Sequence, residues 1–243
     1  MIALYKKEIS SFFSNLTGYI VITVFLVITG LFLWVFPGQN NILDVGYASL
    51  SPLFELAPWI FLFLVPAVTM RVFAEEKRTG TLETLLTRPL SELEIILAKY
   101  LASLTLVLVA LLPSLVYYFT VYYLAAPTGN IDVGGIWGSY LGLLFLASVY
   151  VAIGVLASVI SENQIVSFLV AIVITFFIYL GFDFLSSLAA FEAINDVISK
   201  LGIEYHYQSM SRGVIDSRDV IYFLAVNALF ISLTRLVLLS RKW

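Results

Sequence analysis

GYIVITVFLVITGLFLWVF, Gly18–Phe36, runs for 19 residues without a charged side chain. A helix rises about 1.5 Å per residue, so roughly 20 apolar residues carry it across the hydrocarbon core of a bilayer. The stretch predicts a spanning helix. Lys6 and Lys7 upstream resemble the charged lead of a secretory signal. The apolar core of such a signal is shorter, about 7–15 residues, and no A-x-A-like cleavage site follows here. The run is therefore read as a retained span.

Five further stretches qualify on the same length argument, near Leu56–Phe73, Ile95–Ala125, Gly135–Ile160, Gln164–Phe182 and Val220–Leu239. Composition agrees: 61% of the 243 residues are hydrophobic and 12% charged, against about half and a quarter in soluble domains. The chain reads as an all-α membrane protein of six transmembrane helices forming one domain over 1–243. Pro58 is expected at the start of the second span, where a missing N–H costs little, and Pro66 is expected to bend it. Pro113 predicts a kink in the long third span.

Orientation follows from the excess of Lys and Arg in cytoplasmic loops. Lys6, Lys7, Arg71, Lys77, Arg78, Arg88, Lys99, Arg235, Arg241 and Lys242 account for ten of the thirteen basic residues and fall on one side. Asn40–Glu55 and Pro127–Gly134 hold none. This places both termini in the cytoplasm. Lys200, Arg212 and Arg218 lie in the long loop before the last span, which is expected outside.

Three segments lie outside the spans. Residues 1–17 predict a helix in the interface plane, with Ile2, Tyr5, Ile9, Phe12, Phe13 and Leu16 on one face and Lys6, Lys7 and Glu8 among those on the other. Residues 74–94 hold the run TLETLLTR, Thr81–Arg88, between Gly80 and Pro89. Leu82, Leu85 and Leu86 share one face of it, and that face needs lipid or a protein to cover it. Ser91-x-x-Glu94 is a capping box ahead of the third span. Residues 183–219 predict an amphipathic outer helix, with Ala190, Phe191, Ile194, Val197, Ile198 and Leu201 opposite Glu192, Asn195, Asp196, Ser199 and Lys200. Beyond it, Arg212 with Asp216, and Arg218 beside Asp219, are expected to fix the approach to the last span. Arg212, Gly213, Asp216, Arg218 and Asp219 thus read as a structural segment. His206 reads as a solvated loop residue.

Several chemistries are excluded. With no cysteine and one histidine, thiolate catalysis and Cys- or His-rich metal sites are ruled out. A net charge of −3 without basic clustering argues against nucleic acid. No G-x-x-x-x-G-K-[ST], H-E-x-x-H or G-x-S-x-G occurs, so the chain reads as non-catalytic, with no metal or cofactor of its own. Ion-driven carriers place ionisable groups near mid-membrane, whereas Asp183 and Arg235 fall near span ends. If the chain transports, another protein supplies the energy.

The segment EEKRTGTLETLLTRPLSELEIILAK resembles the loop between spans two and three of the ABC-2 type permeases, E-K-x-x-G-T-L-E-x-L-L-[ST]-x-P-[IVL]-[ST]-x-x-E. The match runs through Glu76, Lys77, Gly80, Thr81, Leu82, Glu83, Leu85, Leu86, Thr87, Pro89, Leu90, Ser91, Glu94 and Lys99. SENQIVSF, which includes Glu162, Asn163 and Gln164, and SRGVIDSRDVIYF resemble the gliding-motility-associated branch. The permease of the nitrous-oxide-reductase copper system is also similar. The resemblance implies a half-transporter in the bacterial inner membrane. It would pair with a second copy or a paralogue above cytoplasmic ABC ATPase subunits that hold ATP and Mg, and work beside a gliding-associated accessory protein. Thr81–Arg88 would be the coupling helix, its leucines an apolar anchor and Glu76, Lys77, Arg78 and Glu83 polar rim contacts. Ser161–Gln164 would make a second contact. Export is the family's usual direction. The alternative reading is a membrane anchor or scaffold of an ATPase-driven machine.

Overall fold

The computed structural model describes residues 1–44, 46–188 and 194–240. All regular structure among them is helical. Six helices are long and apolar enough to cross a membrane: Leu16–Val35, Ser51–Arg78, Glu92–Leu124, Val133–Ile160, Gln164–Ser186 and Ser217–Leu239. They coincide with the six stretches read from the sequence.

The chain opens with α1 (Ile2–Ser14) and breaks at Asn15, whose extended backbone (φ −100°, ψ 158°) separates it from α2 (Leu16–Gly30). A π-helical turn extends α2 to Val35. The second span is α3 (Ser51–Thr69), followed by α4 (Ala74–Arg78), and α5 (Thr81–Leu86) lies in the link beyond it. Helices α6 (Glu92–Leu111) and α7 (Leu115–Leu124) make the third span, joined by a 3-10 turn at Leu112–Ser114. That turn is the interruption expected from Pro113, which has no N–H to bond back along the helix.

Span four, α8 (Val133–Ile160), is the axis of the bundle: 83% of its apolar window is buried, against 28%, 28% and 22% for spans one, five and six. Small residues make this possible. A side chain at Gly154 would collide with Thr69 of α3. Polar groups join the axis to its neighbours: Asn227 donates from Nδ2 to Ser148 Oγ (2.8 Å) and accepts from Tyr100 Oη at Oδ1 (3.0 Å), tying spans six, four and three.

The second span departs from expectation. It begins at Ser51 with Pro52 in its first turn, so Pro58 is interior. Proline leaves the carbonyl four residues back without its helical donor, here Phe54, and Tyr207 Oη supplies one at 2.6 Å. Pro66, expected to bend the span, also lies inside α3.

The last two spans are α9 (Gln164–Phe176), continued by a π-helical turn into α10 (Phe182–Ser186), and α13 (Ser217–Leu239). Between them the expected amphipathic helix is described only from Ile194 onward. Ala190, Phe191 and Glu192 lie outside the described residues, as do Arg241 and Lys242. A short α11 (Asn195–Ser199) comes next, and then α12 (Ile203–Ser211), which packs on α8.

Candidate functional site

The segment 74–94 is stiffened by local chemistry. Gly80 separates α4 from α5 at φ +70°, a left-handed conformation that glycine adopts without a Cβ clash. Thr79 and Thr81 hydroxyls meet across it at 2.9 Å. The helix expected over Thr81–Arg88 is shorter, Thr81–Leu86, and Pro89 stands exposed beyond it. The capping box forms in full: Ser91 Oγ accepts from Glu94 N, and Glu94 Oε2 accepts from Ser91 N at 2.9 Å.

The leucine face turns onto the chain itself. Leu82 is buried, and Leu85 and Leu86 are half-buried against the core. Thr81, Glu83, Thr84, Thr87 and Arg88 are left at the surface. The face therefore needs no external cover, and the side offered to a partner is polar.

Glu76 is also turned inward, away from the rim on which the sequence reading set it. Its side chain is 13% exposed and its Oε1 lies 2.9 Å from Lys99 Nζ. Lys99 is the centre of this end. Only 1% of its side chain is exposed, and Nζ also reaches Glu8 Oε1 (3.1 Å) and the Val72 carbonyl (2.8 Å). Three acceptors satisfy the three ammonium donors. Lys7 Nζ adds a longer contact to Glu76 at 3.6 Å.

Glu8 thus does not lie with the solvated face of α1. That helix packs mainly against α6, with Leu4 and Phe12 buried and Ile2 exposed, and Leu16, the first residue of α2, is exposed as well. Arg71 Nη1 bonds Thr17 Oγ1 at 2.9 Å while its guanidinium stands over the Phe12 ring at 5.0 Å. The N-terminal helix, the α4 segment and span three are clasped by one lysine. Sequence reasoning treated Lys99 as a charge at the membrane surface. Its signal was its isolation in the apolar run IILAKYLASLTLVLVALL.

The turn at Ser161–Gln164 adjoins α4. Asn163 Oδ1 accepts from Ile165 N (2.9 Å), capping α9, and Ser161 Oγ accepts from Asn163 N (3.0 Å). Glu162 and Asn163 are exposed and Gln164 is half-buried. The structure therefore brings Glu76, Lys77, Gly80, the leucines and the 161–164 turn to one end of the bundle.

At the opposite end, Arg212, Gly213, Asp216, Arg218 and Asp219 have separate structural tasks. Gly213 (φ +82°) passes so close to span four that a Cβ there would lie 2.8 Å from Gly135 Cα. Asp216 caps α13, accepting from Arg218 N at 2.9 Å. The Arg212–Asp216 pair does not form: Arg212 Nε donates to the Gln208 carbonyl, 3.3 Å away. Asp219 pairs with His206, not Arg218. His206 is buried on α12, its Nδ1 2.7 Å from Asp219 Oδ1 and its Nε2 2.9 Å from the Lys200 carbonyl. Its ring stacks on Tyr222 at 3.9 Å. The solvated placement is thus corrected: the histidine fastens α12 to the last span. A histidine in a polar run (IEYHYQ) carries no sequence mark of such a role.

Among the described residues there is no group of three or more His, Cys, Asp or Glu placed to hold a metal ion. Six apolar helices, with the N-terminal helix α1 and a capped inter-span segment at one end, define a multi-pass membrane component. The model of the ABC-2 family transporter protein matches residues 2–240, and the chain belongs to that family: it is the permease component of an ABC transporter. No curated protein matches the chain.

Proposed function

We propose that this permease moves its substrate by coupling, through residues 74–94, to a separate cytoplasmic ATPase. The observation that carries the reading is the Lys99 clasp. A force applied at the exposed edge of α5 reaches Glu76 through the short turn in which the Thr79 and Thr81 hydroxyls meet, and Lys99 passes it both to span three and to α1. A buried ion pair resists separation because either partner alone would be left charged and poorly solvated. The link therefore favours movement of the three elements as one body. Glu83, Thr84, Thr87 and Arg88 supply the polar contacts of the docking face, with Glu162 and Asn163 beside them.

In this reading the termini lie in the cytoplasm of a bacterial inner membrane, two permeases pair, and export is the direction. The branch resemblance adds gliding motility as the cellular setting. Co-purification tests the coupling. A tagged permease retains an ATPase subunit, and Gly80→Ala, which strains the left-handed turn, weakens that retention while insertion persists. Equal retention by a permease carrying Gly80→Ala with Glu83→Lys and Arg88→Glu overturns the reading.

A further inference from the structure

Span two exposes a continuous stripe, Ser51, Glu55, Trp59, Phe63 and the half-buried Ala67, at helical spacing of four. Its chemistry changes along its length. The polar end opens into a cleft of about 380 Å³ against α12, where Glu55, Glu204, Gln208 and Arg212 meet the rings of Trp59 and Tyr179. The apolar end floors a groove of about 490 Å³ walled by Val24 and Ile28 of α2 and Phe168 of α9, with no charged residue in its lining. Trp59, 45% exposed, belongs to both.

From this junction we infer that the stripe is a binding slot for a zwitterionic aminophospholipid, its amine between Glu55 and Glu204, its phosphate toward Arg212 and one acyl chain along the groove. Each part of the lining selects against the other occupants. A small cation leaves the groove empty, and an anionic lipid without an amine meets two carboxylates. A purely apolar cover leaves Glu55, Glu204 and Arg212 without counter-charges. Trp59 stands where an amphipathic ring is favoured, between polar head and hydrocarbon, and its ring face also attracts an ammonium group.

The cleft carries unspent polar capacity. Glu204 Oε2 is shielded from solvent and has no hydrogen-bond partner among the described residues. Burial, then the charge of Asp183, push the Glu204 carboxyl above its ordinary range, so a cationic head relieves a repulsion already present. The inference does not depend on the coupling proposal, since the permease alone is tested.

Full-length permease bearing W34F, W137F and W243F keeps Trp59 as its one tryptophan, excited selectively at the red edge of the absorption band. It is placed in nanodiscs of phosphatidylglycerol doped with brominated-chain phosphatidylethanolamine or brominated-chain phosphatidylglycerol. The amine lipid is expected to quench Trp59 at a mole fraction about tenfold lower. E55Q with E204Q removes that preference, and D44N, outside the slot, keeps it. E55Q alone, at an exposed position, serves where the double variant does not fold. Identical quenching by the two lipids, or a preference that survives E55Q, overturns the inference. Absence of quenching by both does too, and assigns the groove to a second copy of the chain.

Discussion

Lys99 Nζ lies 2.9 Å from Glu76 Oε1 where the N-terminal helix, the inter-span link and span three meet, and 1% of the lysine side chain is exposed. A second carboxylate, Glu8, approaches from the other side at 3.1 Å. The cation therefore holds together two acids that would otherwise repel.

Replacing Lys99 by Met keeps the stem and removes the charge, leaving Glu8 and Glu76 only the longer contacts to the exposed Lys7 at 3.5 and 3.6 Å. The expected cost is about 2–4 kcal/mol, straddling the lower edge of the range for a broken buried pair because both acids keep some access to water. E8Q with E76Q in the same chain recovers much of it. Unfolding of the purified protein by a denaturing detergent measures both; a K99M variant as stable as the parent removes the clasp from the account.

Glu204 gives a pH-dependent expectation. Its carboxyl is raised above the ordinary 4.5, first by burial and then by Asp183. The folded state thus holds the proton more tightly than the unfolded chain. The charged form costs stability above the raised value, and the cost fades as pH falls through that value toward 4.5. E204Q is expected to be more stable than the parent at neutral pH, with the gain vanishing on acidification. Unfolding midpoints of both proteins across this range, in detergent without added lipid, provide the check; a pH-independent difference contradicts it.

His206 fastens α12 through Asp219 and the Lys200 carbonyl. H206A removes both ring-nitrogen contacts and frees the buried face that carries Met210. The chain has no cysteine, so M210C is a clean reporter. Its maleimide labelling is expected to quicken about tenfold in H206A. Unchanged labelling shows that α12 is held by other contacts.

The spans were legible because crossing a bilayer imposes one requirement, a long apolar run, that composition alone reveals. Pro113 marked its own turn for an equally local reason: a missing donor. The capping box at Ser91 and Glu94 depends on three residues of separation and was also visible. The features that escaped reading depend on distant parts of the chain. Pro58 looked like a helix start because Glu55 broke the apolar run, yet the carbonyl it frees, that of Phe54, is relieved by Tyr207, 153 residues further along. Lys99 and Glu8 are 91 residues apart, and each resembled an ordinary surface charge. The inward turn of Leu82 was hidden for the same reason: an amphipathic face does not say whether its own bundle or another protein covers it.

The most direct test is the side of the membrane on which α5 lies. Thr84 is exposed, and T84C is the sole cysteine of its variant. A membrane-impermeant maleimide applied to intact cells is expected to leave T84C unlabelled and to label it fully once the membrane is permeabilised. Labelling in intact cells would place the docking face where no cytoplasmic ATPase can reach it, and would contradict the coupling account.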